Sequence, residues 1–289
     1  RGRKTARGFC MNILITGSAG MIGSATVKGM LEAGHRVVGL DLKENTDIIG
    51  SYTHYTVDLS DKCAVKKIIS ENQIDRIVHL AALAHSVDGK KYSWEDYYKL
   101  NVVCTKSIFD AADNIPVLYI STVDVYGFTK GTVNAQTELH PVSQYARSKM
   151  MAENECKKLP YYTIFRFSPV YTDTVKRDIQ KRYYLKYPSI AYRIGKGTEY
   201  EILNVKSAVE AMVDWCKQEP KNDILIIKDK HRMNTAEYIA AEKAQGRAKI
   251  VLWFPKWAVR PGYAVLKALT GKNKYTYLLN KAINPLRTE

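Results

Sequence analysis

The sequence predicts an α/β fold: a doubly wound parallel sheet with a smaller, irregular C-terminal region. Three observations predict it. Short apolar runs alternate with amphipathic stretches from Met11 to about residue 171, the pattern of consecutive βαβ units. A glycine-rich turn, ITGSAGMIG, joins the first run to the first amphipathic stretch. An acid, Asp41, stands at the end of the second run.

Each element follows from its own pattern. MNILITG is a strand ending in a turn, and SAGMIGSATVKGMLEAGH has Ile22, Val27, Met30 and Leu31 at helical spacing, with Gly34 as its stop. RVVGLDL and YTVDLS read as the second and third strands, and CAVKKIISENQ as the helix that follows. DRIVHLAA is the fourth strand, WEDYYKLNVVCTKSIFDAADN a long helix, and VLYISTVDVYG the fifth strand with its exit. A helix around QYARSKMMAENE and the strand YYTIFRFSPVY complete a Rossmann-type sheet over residues 11–171. Residues 172–289 are less regular. KRDIQKRYYLKYPSI and SAVEAMVDWCKQ read as helices and DILIIKD as a strand, while the last forty residues resist assignment.

Composition narrows the class. The chain has 289 residues, with 46% apolar and 25% charged residues, ordinary for a globular protein. Its five cysteines are scattered and contain no C-x-x-C, which argues against a disulfide framework and against a zinc site, and favours a reducing cytoplasmic setting. No apolar run reaches the length of a membrane span. Residues 1–10 carry Arg1, Arg3, Lys4 and Arg7 without a long apolar stretch, so they are expected to be a non-native or disordered extension rather than a secretory signal. The net charge of +15 is uneven: residues 247–289 hold nine Lys or Arg against Glu289 alone. Such a tail favours anionic partners or is simply a solvated basic surface. No nucleic-acid recognition motif accompanies it, so nucleic acid is not expected as a partner.

The glycine turn points to a phosphate cradle. Gly17, Gly20 and Gly23 are spaced G-x-x-G-x-x-G between strand and helix, with Met21 and Ile22 opening that helix. Glycines permit a tight turn and let backbone approach a pyrophosphate at a helix N-terminus. Asp41 then suits the adenosine ribose hydroxyls and repels a 2′-phosphate, which favours NAD over NADP, although Lys43 weakens the preference. Further on, Tyr145 and Lys149 stand four apart in a predicted helix and so share a face. An ammonium beside a phenol favours the phenolate, a proton acceptor usable near neutral pH.

The ordered set TGSAGMIG, VDLS, HLAALA, LNVVCT, STVDVYG and YARSK resembles the extended short-chain dehydrogenase/reductase family, in its NAD-dependent epimerase/dehydratase group acting on nucleotide sugars. The resemblance covers Met11 to about Val213. It implies that Asp58 binds the adenine amino group, with Leu59 beside it, and that Leu80, Ala81 and Ala82 pass behind the adenosine and ribose. It implies a helix-kinking role for Asn101 near the cofactor, and places Pro169 and Val170 by the nicotinamide. Thr122, Tyr145 and Lys149 match the family's catalytic triad: Thr122 holds the substrate hydroxyl, Tyr145 removes its proton, and Lys149 lowers the tyrosine pKa while holding the nicotinamide ribose. The implied activity is a nucleotide-sugar epimerase, most concretely a hexose 4-epimerase, working by transient hydride transfer to NAD. Homodimers through the helices carrying Asn101 and Tyr145 are implied as well.

Two departures bear on substrate. Family dehydratases follow the triad Thr with Asp and Glu, whereas this chain has Val123 and Asp124, which disfavours 4,6-dehydration. Where the family has RYFN this chain has RFSP, and Pro169 offers no donor toward a diphosphate. Arg193 and Lys196, in YRIGKG, are the candidate anion contacts, with Thr122, Val123 and Tyr145 completing the expected substrate site. Solvated surface charge is the competing account of both cations. The stretch LWFPKWAVRPGYAVLKAL mixes aromatic, apolar and basic residues and is expected to pack as a lid or core rather than rest on a membrane. The alternative functions are an NAD(P)-dependent dehydrogenase or reductase of a nucleotide sugar or other alcohol, and a non-catalytic dinucleotide sensor.

Overall fold

Apolar β1 (Asn12–Thr16) has Ile13, Leu14 and Ile15 fully buried, the mark of a central parallel strand covered on both faces. The computed structural model describes residues 4–5, 8–45, 48, 50–84, 92–128, 131–271 and 274–289. Half of residues 1–10 therefore lie outside the described residues, while Lys4–Thr5 and Gly8–Phe9 pair antiparallel. The chain divides into two compact units, one of residues 1–122, 144–166 and 205–225, the other of residues 123–143, 167–204 and 226–289.

The first unit is built on a seven-stranded sheet. After β1 come α1 (Met21–Glu32), β2 (Arg36–Asp41), β3 (Tyr52–Thr56), α2 (Lys62–Glu71) and β4 (Arg76–His79). α3 (Trp94–Tyr98) runs through a π-helical segment, Lys99–Cys104, into α4 (Thr105–Ala112). β5 (Val117–Thr122), α5 (Gln144–Cys156), β6 (Tyr162–Phe167), α6 (Val205–Lys217) and β7 (Asp223–Ile227) follow. The sheet order is β3-β2-β1-β4-β5-β6-β7. β1 runs parallel to both β2 and β4, so the order reverses there, and the carboxyl ends of β1 and β4 form the switch point at which such sheets bind ligands.

Helices cover both faces, as the alternation predicts. Leu14, Leu40, Ile77 and Tyr119 share one core with Ile68 of α2, Ile108 of α4 and Ala152 of α5. α1 packs against α6, so closely at Gly29 that an added Cβ would lie 2.2 Å from Val209 Cγ1. The third strand differs from expectation: it covers Tyr52–Thr56, and the VDLS segment is its exit, with Val57 N–H donating to Asp41 C=O at 2.9 Å.

The second unit has its own core, in which Ile179, Tyr183, Tyr184, Tyr200 and Ile239 are buried together. The helix expected over KRDIQKRYYLKYPSI is restricted to Arg177–Gln180, and Tyr184–Lys186 is a strand paired antiparallel with Ile190–Ile194. The physical reason is tertiary: burying adjacent aromatics against a partner strand outweighs helical spacing, and Pro188 forbids continuation of a helix. Ile190–Ile194 in turn runs parallel to Ile250–Phe254. The unassigned tail is largely helical, with α7 (Thr235–Ala244) before it, then α8 (Lys256–Thr270) and α9 (Lys274–Ile283). No helix among the described residues is long and apolar enough to cross a membrane.

A buried ion pair ties α5 to β6. Glu153 receives Arg166 Nε at 3.1 Å and Nη2 at 2.7 Å, and its Oε1 also accepts the Ser121 hydroxyl at 2.6 Å. Both charged side chains are almost wholly buried. Removing one partner of such a pair strands the other charge, which costs about 3–5 kcal/mol, whereas replacing both by apolar groups costs far less. Glu153→Gln is therefore expected to lower stability by about that amount in urea denaturation, and Glu153→Leu with Arg166→Met to recover most of it.

Candidate active site

The glycine turn closes at the sheet's switch point. Gly17 has φ of +70°, and a Cβ there would lie 2.9 Å from the backbone N and Cα of Ala81. At Gly23 a Cβ would lie 1.9 Å from the Gly17 carbonyl oxygen, so the first turn of α1 sits directly on the loop. Gly20 is the N-cap of α1 and supplies no side-chain cap, and the first turn carries no acid. The amides of Met21, Ile22 and Gly23 thus form an uncapped, electropositive helix end, which fits a pyrophosphate.

Asp41 braces this cradle. Its Oδ2 accepts the Ala19 N–H and its Oδ1 the Lys43 N–H, each at 3.0 Å. Asp58 is exposed, and the Ser60 backbone N–H bonded to it at 2.8 Å holds its carboxyl below the usual range. Leu59 is buried, while Leu80, Ala81 and Ala82 are half-buried beyond β4. Asn101 lies in the π-helical segment, a distortion frequent at functional sites. Its side-chain oxygen accepts Leu83 N–H at 2.7 Å, and its amide donates to Leu83 C=O at 3.0 Å and to Ser148 Oγ at 2.9 Å. With both amide protons so engaged, Asn101 props the backbone after β4 against α5.

α5 carries the phenol and the amine. It packs against β5, whose last residue is the half-buried Thr122. Tyr145 is half-buried, its ring centroid 6.5 Å from that of Tyr97 in α3. Lys149 is fully buried, with Nζ 4.2 Å from the centre of the Tyr119 ring. Burial pulls its pKa down to about 7, against the raising effects of Glu153 and Cys156. In the free protein, desolvation brings this amine to the edge of losing its proton at neutral pH.

Sequence reasoning missed the polar groups under this helix. His79 ends β4 with Nδ1 2.7 Å from Thr16 Oγ1 and Nε2 2.8 Å from Thr105 Oγ1. Thr16 Oγ1 also accepts the Ala81 N–H at 3.2 Å, so one hydroxyl ties the His79 ring to the backbone after β4. Burial, and then Lys149, pushes the His79 pKa down to about 3, which keeps the ring neutral. Glu153 was equally missed, although it repeats the spacing of Tyr145 and Lys149 by another four residues. A third polar residue at that interval on a helix with a buried face was the available signal.

The remaining expected residues belong to the second unit. Pro169 accepts Leu203 N–H at 3.0 Å, and Val170 pairs with Leu203 in a two-residue parallel ladder. Val123 and Pro169, with Asp124, Tyr200, Tyr277 and Lys281, line a cavity of about 30 Å³. Asp124 is paired there with Lys281 at 2.6 Å. Arg193, on the strand Ile190–Ile194, has its Nε buried without a partner, and Lys196 lines a larger cavity of about 300 Å³.

The sheet order and the glycine turn at its switch point define a dinucleotide-binding α/β protein of the Rossmann type. The chain belongs to the NAD dependent epimerase/dehydratase family, whose model matches residues 13–221. It is 32% identical over 170 residues to UDP-glucose 4-epimerase of Drosophila melanogaster, covering 51% of this chain and 48% of that one. It is likewise 32% identical over 168 residues to dTDP-glucose 4,6-dehydratase of Neisseria gonorrhoeae, covering 50% and 48%. The chain thus spans about half the length of the curated relatives it matches. Among solved structures it is similar to the UDP-Glc/GlcNAc 4-epimerase of Campylobacter jejuni, with a TM-score of 0.72 at 22% identity, covering 95% of this chain and 98% of that one. At that identity the likeness is one of fold.

Two outcomes follow from the geometry. Gly23→Ala forces the turn away from α1, so NAD is expected to raise the thermal unfolding midpoint of the parent protein and to leave that of the variant unmoved. For Lys149, the unfolded amine holds its proton to about pH 10.5 and the folded one to about 7. Between those values the unfolded chain binds more protons, so stability rises with pH from about 7 to about 10.5, and below about 7 the cost of the buried ammonium is present in full. Relative to Lys149→Met, stability is expected to increase by roughly 2–3 kcal/mol between pH 7 and pH 9.5, as read by urea denaturation at both.

Proposed function

We propose that the chain is an NAD-dependent nucleotide-sugar epimerase, acting at C4 of a hexose. The observation that carries this reading is α5 itself: Tyr145 and Lys149 one turn apart, with Lys149 buried beneath the helix against Tyr119. Family membership and the 4-epimerases among the relatives support it. In this reading the dinucleotide rests on Gly17, Gly20 and the uncapped turn Met21–Ile22–Gly23, with Asp41 and Asp58 toward its adenosine. Lys149 lies toward the nicotinamide ribose. When bound, NAD supplies a reversible hydride acceptor, so that a secondary alcohol passes through a ketone and can be restored on its other face.

The chain's own groups handle the proton and the substrate. Thr122 donates or accepts a hydrogen bond at the reacting hydroxyl, and Tyr145 takes the proton as a general base. Lys149, charged, favours the tyrosinate, and its low pKa makes that help sensitive to what binds above it. Dehydration is disfavoured on two grounds: Val123 supplies no acid, and Asp124 is held in its ion pair with Lys281. Recognition of the sugar nucleotide is assigned to the second unit, with Arg193 as the candidate anion contact. A cytosolic setting is proposed from the five unpaired thiols. A homodimer through α3–α4 and α5 is proposed with it, consistent with exposed Tyr98 and Val103 there.

The test is proton NMR of the protein with catalytic NAD and a panel of UDP-, GDP- and dTDP-hexoses. A new anomeric signal without net NADH is the expected result and names the sugar. Net NADH accumulation would instead identify a dehydrogenase. Tyr145→Phe is expected to cut turnover by about 100-fold or more while NAD binding persists; near-normal turnover would remove Tyr145 from the mechanism.

A further inference from the structure

α8 has the wrong surface for a helix facing water. Its sequence, KWAVRPGYAVLKALT, contains no acid, and none of its residues is buried. Val259, Tyr263 and Leu266, at helical spacing, form its half-buried inner stripe. A surface helix that lies on such a stripe normally carries polar residues on its other side. Here the exposed side carries Trp257, Pro261, Ala264, Val265, Ala268 and Leu269, which at 100° per residue fall within roughly 140° of arc. Trp257 is 78% exposed, Val265 58% and Leu269 80%. Lys256, Arg260 and Lys267 run along one flank of that arc.

The preceding strand is apolar and exposed as well. Ile250, Leu252 and Phe254 alternate onto one face of Ile250–Phe254, and all three are exposed, as is Trp253. An apolar surface of this kind marks an interaction site.

We propose that this face of the second unit docks on an anionic phospholipid surface, with α8 lying in the interfacial plane. The charge argues for lipid over a second copy. α8 has no acid, and its three cations, Lys256, Arg260 and Lys267, take no part in the ion pairs that hold Arg247, Lys281 and Arg287. A two-fold contact through α8 would set the same cations against each other, whereas anionic headgroups neutralise them. Trp257 and Leu269, twelve residues apart on one stripe, would enter the acyl boundary, and Lys256, Arg260 and Lys267 would meet the phosphates. The proposal is independent of the reaction proposed above and does not need the enzyme to turn over.

The experiment is co-sedimentation of the whole 289-residue chain with vesicles of phosphatidylcholine alone and of equimolar phosphatidylcholine and phosphatidylglycerol at low salt. Pelleting with the anionic vesicles alone is expected. Trp257→Glu with Leu269→Glu, both at exposed positions, is expected to abolish it without lowering the thermal midpoint. Replacing Lys256, Arg260 and Lys267 by Gln is expected to weaken it by about fivefold per cation, a second variant that leaves the apolar stripe intact. No pelleting of the parent chain overturns the proposal. So does pelleting that survives both sets of substitutions, since the lipid then meets another basic surface. A parent dimer that the Trp257→Glu, Leu269→Glu variant dissociates, with no vesicle binding, makes a second copy the cover and overturns it as well.

Discussion

No side chain can stand at Gly17 or Gly23, and the first unit is arranged around that constraint. At Gly17 a methyl group would meet the backbone of Ala81, and at Gly23 it would meet the loop's own carbonyl. Those two contacts press the end of β1, the start of α1 and the exit of β4 onto one another at the sheet's switch point. Asp41 then braces the same turn from β2 through Ala19, and Thr16 links it to Ala81 and His79. A cradle of backbone amides is the result, and its shape comes from missing atoms rather than from added ones.

α5 shows how charge is placed beneath such a cradle. Three polar residues at four-residue intervals, Tyr145, Lys149 and Glu153, look outward-facing on paper, yet Lys149 and Glu153 are buried. Glu153 is tolerated because Arg166 and Ser121 satisfy it with three bonds. Lys149 has no carboxylate at contact distance among its described bonds and rests on the face of Tyr119, whose hydroxyl is itself buried without a partner. The contrast assigns different work to the two charges. One is locked in an ion pair, and the other is held near neutrality by burial.

The second unit follows another logic. Its core is rich in tyrosine, with Tyr183, Tyr184 and Tyr200 buried together, and short two-residue ladders join its segments. Little regular structure is needed when large rings supply the buried area. Its tail then spends apolar residues on the outside of α8, where a core would not.

The sequence by itself determined the sheet-and-helix alternation, the glycine turn, the Tyr145–Lys149 spacing and the family. These are local patterns, written in intervals of two, three and four residues, and backbone geometry reads them directly. Its errors lay where distant residues decide. The KRDIQKRYYLKYPSI segment has helical spacing, but its tyrosines find a strand and a core. Asn101 was legible as a kink, but its bond to Ser148, 47 positions away, was not. Only the tertiary structure settled that Lys149 is buried and pulled toward neutrality, that His79 is a neutral bolt between β1 and α4, and that α8 keeps its apolar stripe outside. Each of these depends on which strands are neighbours and in what register. Burial and pairing are properties of that arrangement, and no interval along the chain encodes them.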